Sequence, residues 1–310
     1  MQMKHLIQYF IDPEYRFAVN DAHELYKGLD DESYLKKKYY VRFKKQLNLD
    51  NPVTYNEKLQ WLKINDHNPA YCQMVDKIEA KKVVAGIIGE EHIIPTLGVW
   101  NNFDEIDFMS LPDQFVLKCS HDSGGVVVCK DKTSLDSQKA RKKLEKSLSQ
   151  NYYWHGREWP YKSIKPRILA EKYMEDESGY ELKDYKIFCF HGEPKMIQVD
   201  YDRFTSHKRN LYTVDWQYID ASIQYPTDST RIIPKPQVLD EMLLMAKQLS
   251  KRYIHVRTDF YCINEKVYFG EMTFYHESGF AKFQPESFGV TMGNWLDLSG
   301  MISQKKSSEK

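Results

Sequence analysis

Strand–turn–strand pairing recurs from Phe115 onward and restricts the sheets of this chain to antiparallel neighbours. Phe115 to Cys119 is a short β-rich run, Ser120 to Gly125 a cluster of turn formers, and Val126 to Cys129 a second β-rich run. Tyr185 to Phe190 and Lys195 to Val199 flank His191-Gly192-Glu193-Pro194 in the same way, and His255 to Tyr261 and Lys266 to Met272 flank Asn264-Glu265. Runs rich in Val, Ile, Phe and Tyr that are joined by short Gly-, Pro- or Asn-bearing turns read as hairpins. Arg167 to Tyr173 reads as a further strand, and Ile93-Ile94-Pro95 opens an extended segment. Helical stretches separate these runs: Asp76 through Val84, ending near Gly86 and Gly89, then Thr133 to Gln150, then Pro236 to Lys251. Residues 1 to about 75 read as helical, with Asn51-Pro52 as a turn before Leu59, Trp61, Leu62 and Ile64. Helices mixed with hairpins predict an α+β protein with two sheets.

Composition narrows function more than fold. Lys and Arg number 44, as do Asp and Glu, so no global basic excess points to nucleic acid. Locally, Lys36, Lys37, Lys38, Arg42, Lys44 and Lys45 crowd together among Tyr39, Tyr40 and Phe43. That stretch reads as an amphipathic helix with a basic face, and as a candidate peripheral contact with anionic lipid or a phosphorylated glycan carrier. The five cysteines form no C-x-x-C pair, which suits reduced thiols rather than a disulfide framework or a zinc site. The first residues carry no apolar run of signal-peptide length, and no window approaches a membrane span. A cytoplasmic protein, with the inner face of a membrane as a candidate place of contact, is the expectation.

Three groups of residues carry chemistry. Lys118 ends a strand beside Ser123-Gly124-Gly125, where backbone N–H groups and an ammonium can approach a phosphate; no P-loop pattern is present. Arg257 and Asp259 share one face of a strand by period-2 alternation, and in a hairpin centred near Asn264-Glu265 Asp259 falls opposite Glu271. Paired carboxylates need a cation between them, and Mg²⁺ with nucleotide phosphates is one natural occupant. Glu171-Lys172-Tyr173 and Asp184-Tyr185-Lys186 place backbone and carboxylate groups where an adenine edge and ribose hydroxyls could be met. Each group also has a structural reading as hairpin or surface salt bridges.

The order of these groups resembles that of the ATP-grasp superfamily: D-alanine–D-alanine ligases in layout, and ribosomal-protein glutamate ligases around Asp184-Tyr185-Lys186. The chain is similar to the TupA-like ATP-grasp family, named for teichuronopeptide synthesis, over roughly residues 34 to 300. The likeness rests on Asn51-Pro52-x-Thr54-x-Asn56-Glu57-Lys58-x-Gln60-Trp61-Leu62, Val75-Asp76-Lys77 and Phe115-Val116-Leu117-Lys118-Cys119-x-His121-Asp122-Ser123-Gly124. It continues through Leu182-Lys183-Asp184-Tyr185-Lys186-x-Phe188-Cys189-Phe190-x-Gly192-Glu193-Pro194-Lys195 and Tyr268-Phe269-Gly270-Glu271-x-Thr273-Phe274.

The resemblance implies an ATP-grasp fold, with ATP between two α+β subdomains and a helical N-terminal extension. It divides the chain into residues 1–75, a lid-bearing subdomain 76–170, a C-terminal subdomain 171–302 and a disordered tail 303–310. It implies ATP and Mg²⁺ as cofactors. Lys77 and Lys118 would meet phosphates under a mobile loop of Ser120, Ser123, Gly124 and Gly125. Glu171, Lys172 and Tyr173 would border adenine, and Asp184 would hold ribose. Asp259, Glu271 and Thr273 would bind the metal, Thr273 standing where many relatives have Asn. Arg257 would stabilise the transferring phosphoryl group, with Lys186 and Arg203 as further catalytic candidates. His191, His207, Lys208 and Arg209 could bind an anionic substrate. The implied reaction joins a small-molecule or glycan carboxylate to an amine through an acyl phosphate, in surface-polysaccharide biosynthesis. The competing readings are a glycosyltransferase using Asp200-Tyr201-Asp202, and a non-catalytic nucleotide- or glycan-binding module. No βαβ unit precedes the matched region, so a helical segment stands where the superfamily often builds its acceptor site.

Overall fold

The structure, a computed structural model, describes residues 3–176, 182–202 and 206–308. Six helices come first: α1 (Met3–Ile11), α2 (Pro13–Ala22), α3 (Asp31–Phe43), α4 (Tyr55–Asn65), α5 (Ala70–Val75) and α6 (Lys77–Ile88). There follow β1 (Thr96–Trp100), β2 (Phe115–Cys119), β3 (Val126–Cys129), α7 (Ser137–Leu148) and β4 (Ile168–Lys172). Next are β5 (Asp184–Phe190), β6 (Glu193–Tyr201), β7 (Lys208–Thr213), β8 (Tyr218–Ile219), β9 (Ser222–Ile223) and α8 (Leu239–Ser250). The chain ends with β10 (His255–Ile263), β11 (Lys266–Thr273), β12 (Phe283–Gln284), α9 (Glu286–Trp295) and α10 (Ser299–Ser308).

The helix starts are written in the sequence. Thr54 and Glu57 form a capping box at α4, each closing on the other's backbone N–H. Asp76 caps α6, its Oδ1 accepting from the Ile78 N–H at 2.9 Å. This cap points the first turn of α6, which carries Lys77, toward the Ser120 carbonyl that accepts the Lys77 N–H at 3.0 Å.

The strands form a small sheet in the order β1-β4-β2-β3, a larger one in the order β11-β10-β5-β6-β7-β8, and a two-stranded β12-β9 pair. Every pairing within these sheets is antiparallel. The small sheet packs on α7 through Phe115, Leu117, Ala140, Leu144 and Ile168. The larger sheet packs its apolar side on α8, and the core continues to α4, α5 and α6 through Leu59, Trp61, Met74 and Val84. A third core, of Phe17, Tyr34, Leu35 and Tyr39 with Phe280, binds the N-terminal helices to the far end of the chain.

Three features bear on the sequence expectations. The small body spans β1 to β4, while α6, placed with it in the expected 76–170 unit, packs on α8 and β11 of the larger body, and the expected edge at 170 falls within β4. Residues 303–308, expected as part of a disordered tail, continue α10. The basic stretch is tied into the fold: Lys36 pairs with Glu32 at 2.6 Å, Arg42 with Glu14 at 2.8 Å and Lys45 with Glu286 at 2.6 Å. Lys38 donates to the Tyr34 hydroxyl and the His155 carbonyl, Lys44 to the Val41 carbonyl, and Lys37 lies over the Tyr26 ring. Among the described residues, no helix is long and apolar enough to cross a membrane.

Candidate active site

Residues from both sheets line a cavity of about 670 Å³. Its larger wall follows from strand register. Asp259 on β10 pairs with Glu271 on β11 to one side and with Lys186 on β5 to the other, and Lys186 pairs with Gln198 on β6. Residues that pair directly across a sheet share a face, so a polar row runs across four strands. Two residues along the strands, on the same face, Asp184 pairs with Asp200, and Asp200 with Arg209 on β7.

Charges in this wall are closely matched. Arg257 donates from Nε to Asp259 Oδ1 and from Nη2 to Oδ2, both at 2.7 Å. The same Nη2 reaches Glu271 Oε1 at 3.0 Å, and Lys186 Nζ reaches Asp259 Oδ2 at 2.6 Å and Asp184 Oδ2 at 3.2 Å. Asp259 is 1% exposed. Burial would raise its pKa, but the Arg257 and Lys186 charges outweigh that and hold the carboxyl below its ordinary value. Burial would likewise lower the Lys186 ammonium, and Asp184 and Asp259 reverse it. The Arg257 guanidinium thus bridges the Asp259 and Glu271 carboxylates.

The opposite wall is built around Glu171 on β4. Lys118 on β2 approaches its Oε2 at 2.5 Å, and Lys81 on α6 holds its Oε1. Burial opposes ionisation of Glu171, yet the two ammonium groups bring its pKa to about 2. Lys77, one helical turn before Lys81, donates to the Asp122 carbonyl. Lys77, Lys81 and Lys118 thus stand together at the cavity. Lys81 was not singled out in the sequence, although its i,i+4 spacing from Lys77 puts both on one helix face.

Other predicted residues divide. Asp184, Ser123, His207, Arg209 and Thr273 line the cavity. Lys208 does not: strand alternation turns it away, to Asp228 at 2.5 Å. His191 lies in the turn between β5 and β6, at the other end of β5 from Asp184, and accepts the Asp297 N–H at 3.1 Å. Neither belongs with the expected substrate set at the cavity. Lys172 is exposed, Tyr173 lies beneath the Lys130 ammonium, and neither lines the cavity. Arg203 lies outside the described residues.

The expected mobile loop is anchored at both ends. Ser120 is fully buried, and its N–H donates to the Arg167 carbonyl at 2.8 Å. Gly125 donates to Asp122 at 3.0 Å, and a Cβ there would stand 2.4 Å from Ser147 Oγ. Only the Ser123-Gly124 tip is exposed. A lid role can therefore belong to that tip alone.

Sequence reading missed a second set of cavity residues. Tyr152, Glu158 and Tyr161 come from two short 3-10 turns and their junction before β4, and Glu277 and Ser278 from the turn after β11. That turn carries Glu277, Ser278 and Gly279 in the left-handed region, at φ of 48°, 53° and 67°. Consecutive non-glycine residues there are costly, and such strain gathers at functional sites. Here it delivers the Glu277 carboxylate to Arg209 at 3.0 Å and the Ser278 carbonyl to Lys63 at 2.7 Å.

Among the described residues, no three His, Cys, Asp or Glu side chains gather into a metal-holding group. Magnesium commonly takes one or two carboxylates together with phosphate oxygens and water. Glu271 is 45% exposed in its side chain, sits opposite Asp259, and accepts from the Thr273 hydroxyl at 3.4 Å. Oxygen donors of this kind fit Mg²⁺ if phosphates complete the shell.

The sequence matches the family described as TupA-like ATPgrasp over residues 57–297, more than half of the chain. No curated protein matches it. Among solved structures, D-alanine–D-alanine ligase from Bacillus anthracis, complexed with ATP, is 16% identical; the match covers 77% of this chain and 67% of that one, with a TM-score of 0.42. The corresponding enzyme from Helicobacter pylori is 16% identical over 77% of this chain and 68% of that one, with a TM-score of 0.39. The biotin carboxylase domain of Hydrogenobacter thermophilus 2-oxoglutarate carboxylase is 16% identical over 65% and 40%, with a TM-score of 0.38.

Proposed function

The chain belongs to the TupA-like ATP-grasp family, and from that premise we propose that it is an Mg²⁺- and ATP-dependent carboxylate–amine ligase. One observation carries the reading: a single cavity brings Lys77, Lys81 and Lys118 into the same space as Arg257, Asp259 and Glu271. In the proposed complex the three lysines meet phosphate oxygens, and Lys118 exchanges part of its contact with Glu171 for them. Glu171 and Asp184 lie beside the nucleoside. Asp259, Glu271 and Thr273 hold the metal, which when bound offsets the charge of the phosphates. Arg257, fixed by Asp259 and Glu271, presents a preoriented positive charge to the transferring group. A carboxylate is a poor electrophile, and phosphorylation supplies it with a leaving group; positioning and charge neutralisation carry most of such a transfer.

As substrates we propose a sugar carboxylate, such as a uronic acid of a surface polysaccharide, and an amino acid or other amine. Support comes from the family resemblance and from Tyr152, Tyr161, Tyr225 and Tyr261 along the cavity, whose ring faces and hydroxyls suit a saccharide. The glycosyltransferase alternative fares less well. Its Asp200 is committed to Arg209 at 2.6 Å, and both multi-stranded sheets are antiparallel rather than Rossmann-like.

Calorimetry with ATP–Mg²⁺ and with UDP-sugars tests the reading. ATP–Mg²⁺ is expected to bind and UDP-sugars to bind weakly or not at all. Tight binding of a UDP-sugar without any binding of ATP would sink it.

A further inference from the structure

Eight described carboxylates line the cavity; six have a cation against them, and a seventh, Asp122, accepts from the Ser147 hydroxyl and the Gly125 N–H. Glu171 has Lys81 and Lys118, Asp259 has Arg257 and Lys186, Asp184 has Lys186, Glu271 has Arg257, and both Asp200 and Glu277 have Arg209. Glu158 differs. It is 5% exposed and lines the cavity, and the Lys63, Lys38 and Arg257 charges act on it without a direct ion pair among the described residues. Its side chain is hydrogen-bonded by the Ser278 hydroxyl, whose oxygen accepts in turn from Lys63 at 3.0 Å. Lys63 itself is taken up by the Gly156 and Ser278 carbonyls at 2.7 Å each. A buried carboxylate with no described cation in contact gains when a ligand supplies one.

Its surroundings suit a cationic ligand. Tyr152 and Tyr161 line the cavity with Glu158, their ring centroids 4.8 Å apart and their planes at 63°. Aromatic faces attract an ammonium. Arg257 and Glu271 lie near enough to act electrostatically on Tyr161, so this corner adjoins the proposed phosphoryl-transfer centre. The segment is also firmly mounted. Trp159 Nε1 donates to the Asp66 carbonyl at 2.9 Å, and Arg157 Nη2 to the Tyr26 carbonyl at 2.8 Å. The N-terminal helices thereby hold Glu158 in place.

Resting on the ligase reading, we propose that Glu158, which shares the cavity wall with Tyr152 and Tyr161, receives the ammonium group of the amine substrate. The nitrogen must lose two protons as the amide forms. One passes to Glu158, which frees the lone pair that makes the C–N bond. The other leaves with the phosphate, which departs with the electron pair of the broken C–O bond. Burial raises the Glu158 pKa, which makes the carboxylate a better proton acceptor.

Glycinamide, which carries an ammonium, and N-acetylglycinamide, which is neutral, serve as probes in ligand-observed NMR titrations of the whole protein with saturating ADP and Mg²⁺. Wild-type protein is expected to bind glycinamide at least about tenfold more tightly than the neutral analogue, the scale of a charge-assisted contact. Glu158→Gln is expected to lose about tenfold in glycinamide affinity with ADP affinity retained. Equal binding of the two probes by the wild type overturns the proposal without any variant. So does a wild type that binds ADP but not glycinamide, or a folded Glu158→Gln with unchanged glycinamide affinity. Failure of the wild type to bind ADP overturns the ligase reading beneath it.

Discussion

Asp259→Asn should destabilise the protein by about 3–5 kcal/mol at neutral pH, the scale of breaking a buried ion pair from one side, and should abolish ATP turnover in whatever remains folded. The side chain keeps its shape but no longer neutralises Arg257 and Lys186, which are 7% and 5% exposed. Two buried cations are left with Glu271 and Asp184 as their remaining acidic partners. The pH dependence follows from the sign of the shift. Asp259 in the folded protein titrates below its ordinary value of 3.8, so its contribution is fully present above that value and is lost as pH falls through the lower, folded value. Glu171, at about 2 in the folded state, adds a second loss on the acid side. Wild-type stability should therefore fall steeply below about pH 4, and Asp259→Asn should fall less steeply from a lower start. Urea denaturation at a series of pH values reads both. A variant as stable as the wild type at pH 7 would show that Arg257 and Lys186 do not depend on Asp259.

Glu271→Gln should behave oppositely. Its side chain is 45% exposed and accepts one Arg257 N–H, while Arg257 keeps both bonds to Asp259. Exposed ion pairs contribute about 1 kcal/mol or less, so the melting temperature should change little. ATP turnover should fall by at least about 10²-fold, as expected when charge stabilisation leaves a phosphoryl-transfer site. Raising Mg²⁺ should recover part of the loss. Melting temperature and ADP production on one preparation separate the possibilities. A destabilised but fully active Glu271→Gln would remove Glu271 from the metal site.

Much of the larger wall could be read from the chain because hairpin register is local. Arg257 and Asp259 share a face by alternation, and the short Asn264-Glu265 connection sets Asp259 against Glu271. What depends on distant partners was hidden. Ser120 reads as a lid residue until the Arg167 carbonyl, far along the chain, accepts its N–H. Lys208 and Arg209 read alike as candidates for an anionic substrate, yet β7 pairs along β6 and sends only Arg209 into the cavity. Glu158 and Tyr161 sit in a segment with no helical or strand period, so no pattern marks them. They reach the cavity because Asp66 and Lys63, from the N-terminal region, hold that segment from outside.

The most direct measurement mixes the protein with ATP, Mg²⁺, a panel of uronic acids and a panel of amino acids, and follows ADP, AMP, phosphate and UDP release. The account predicts ADP and phosphate in equal amounts, only when both an acid and an amine are present, and a hydroxamate when hydroxylamine replaces the amine. AMP and pyrophosphate in place of ADP, or UDP release from added UDP-sugars with ATP untouched, would contradict it.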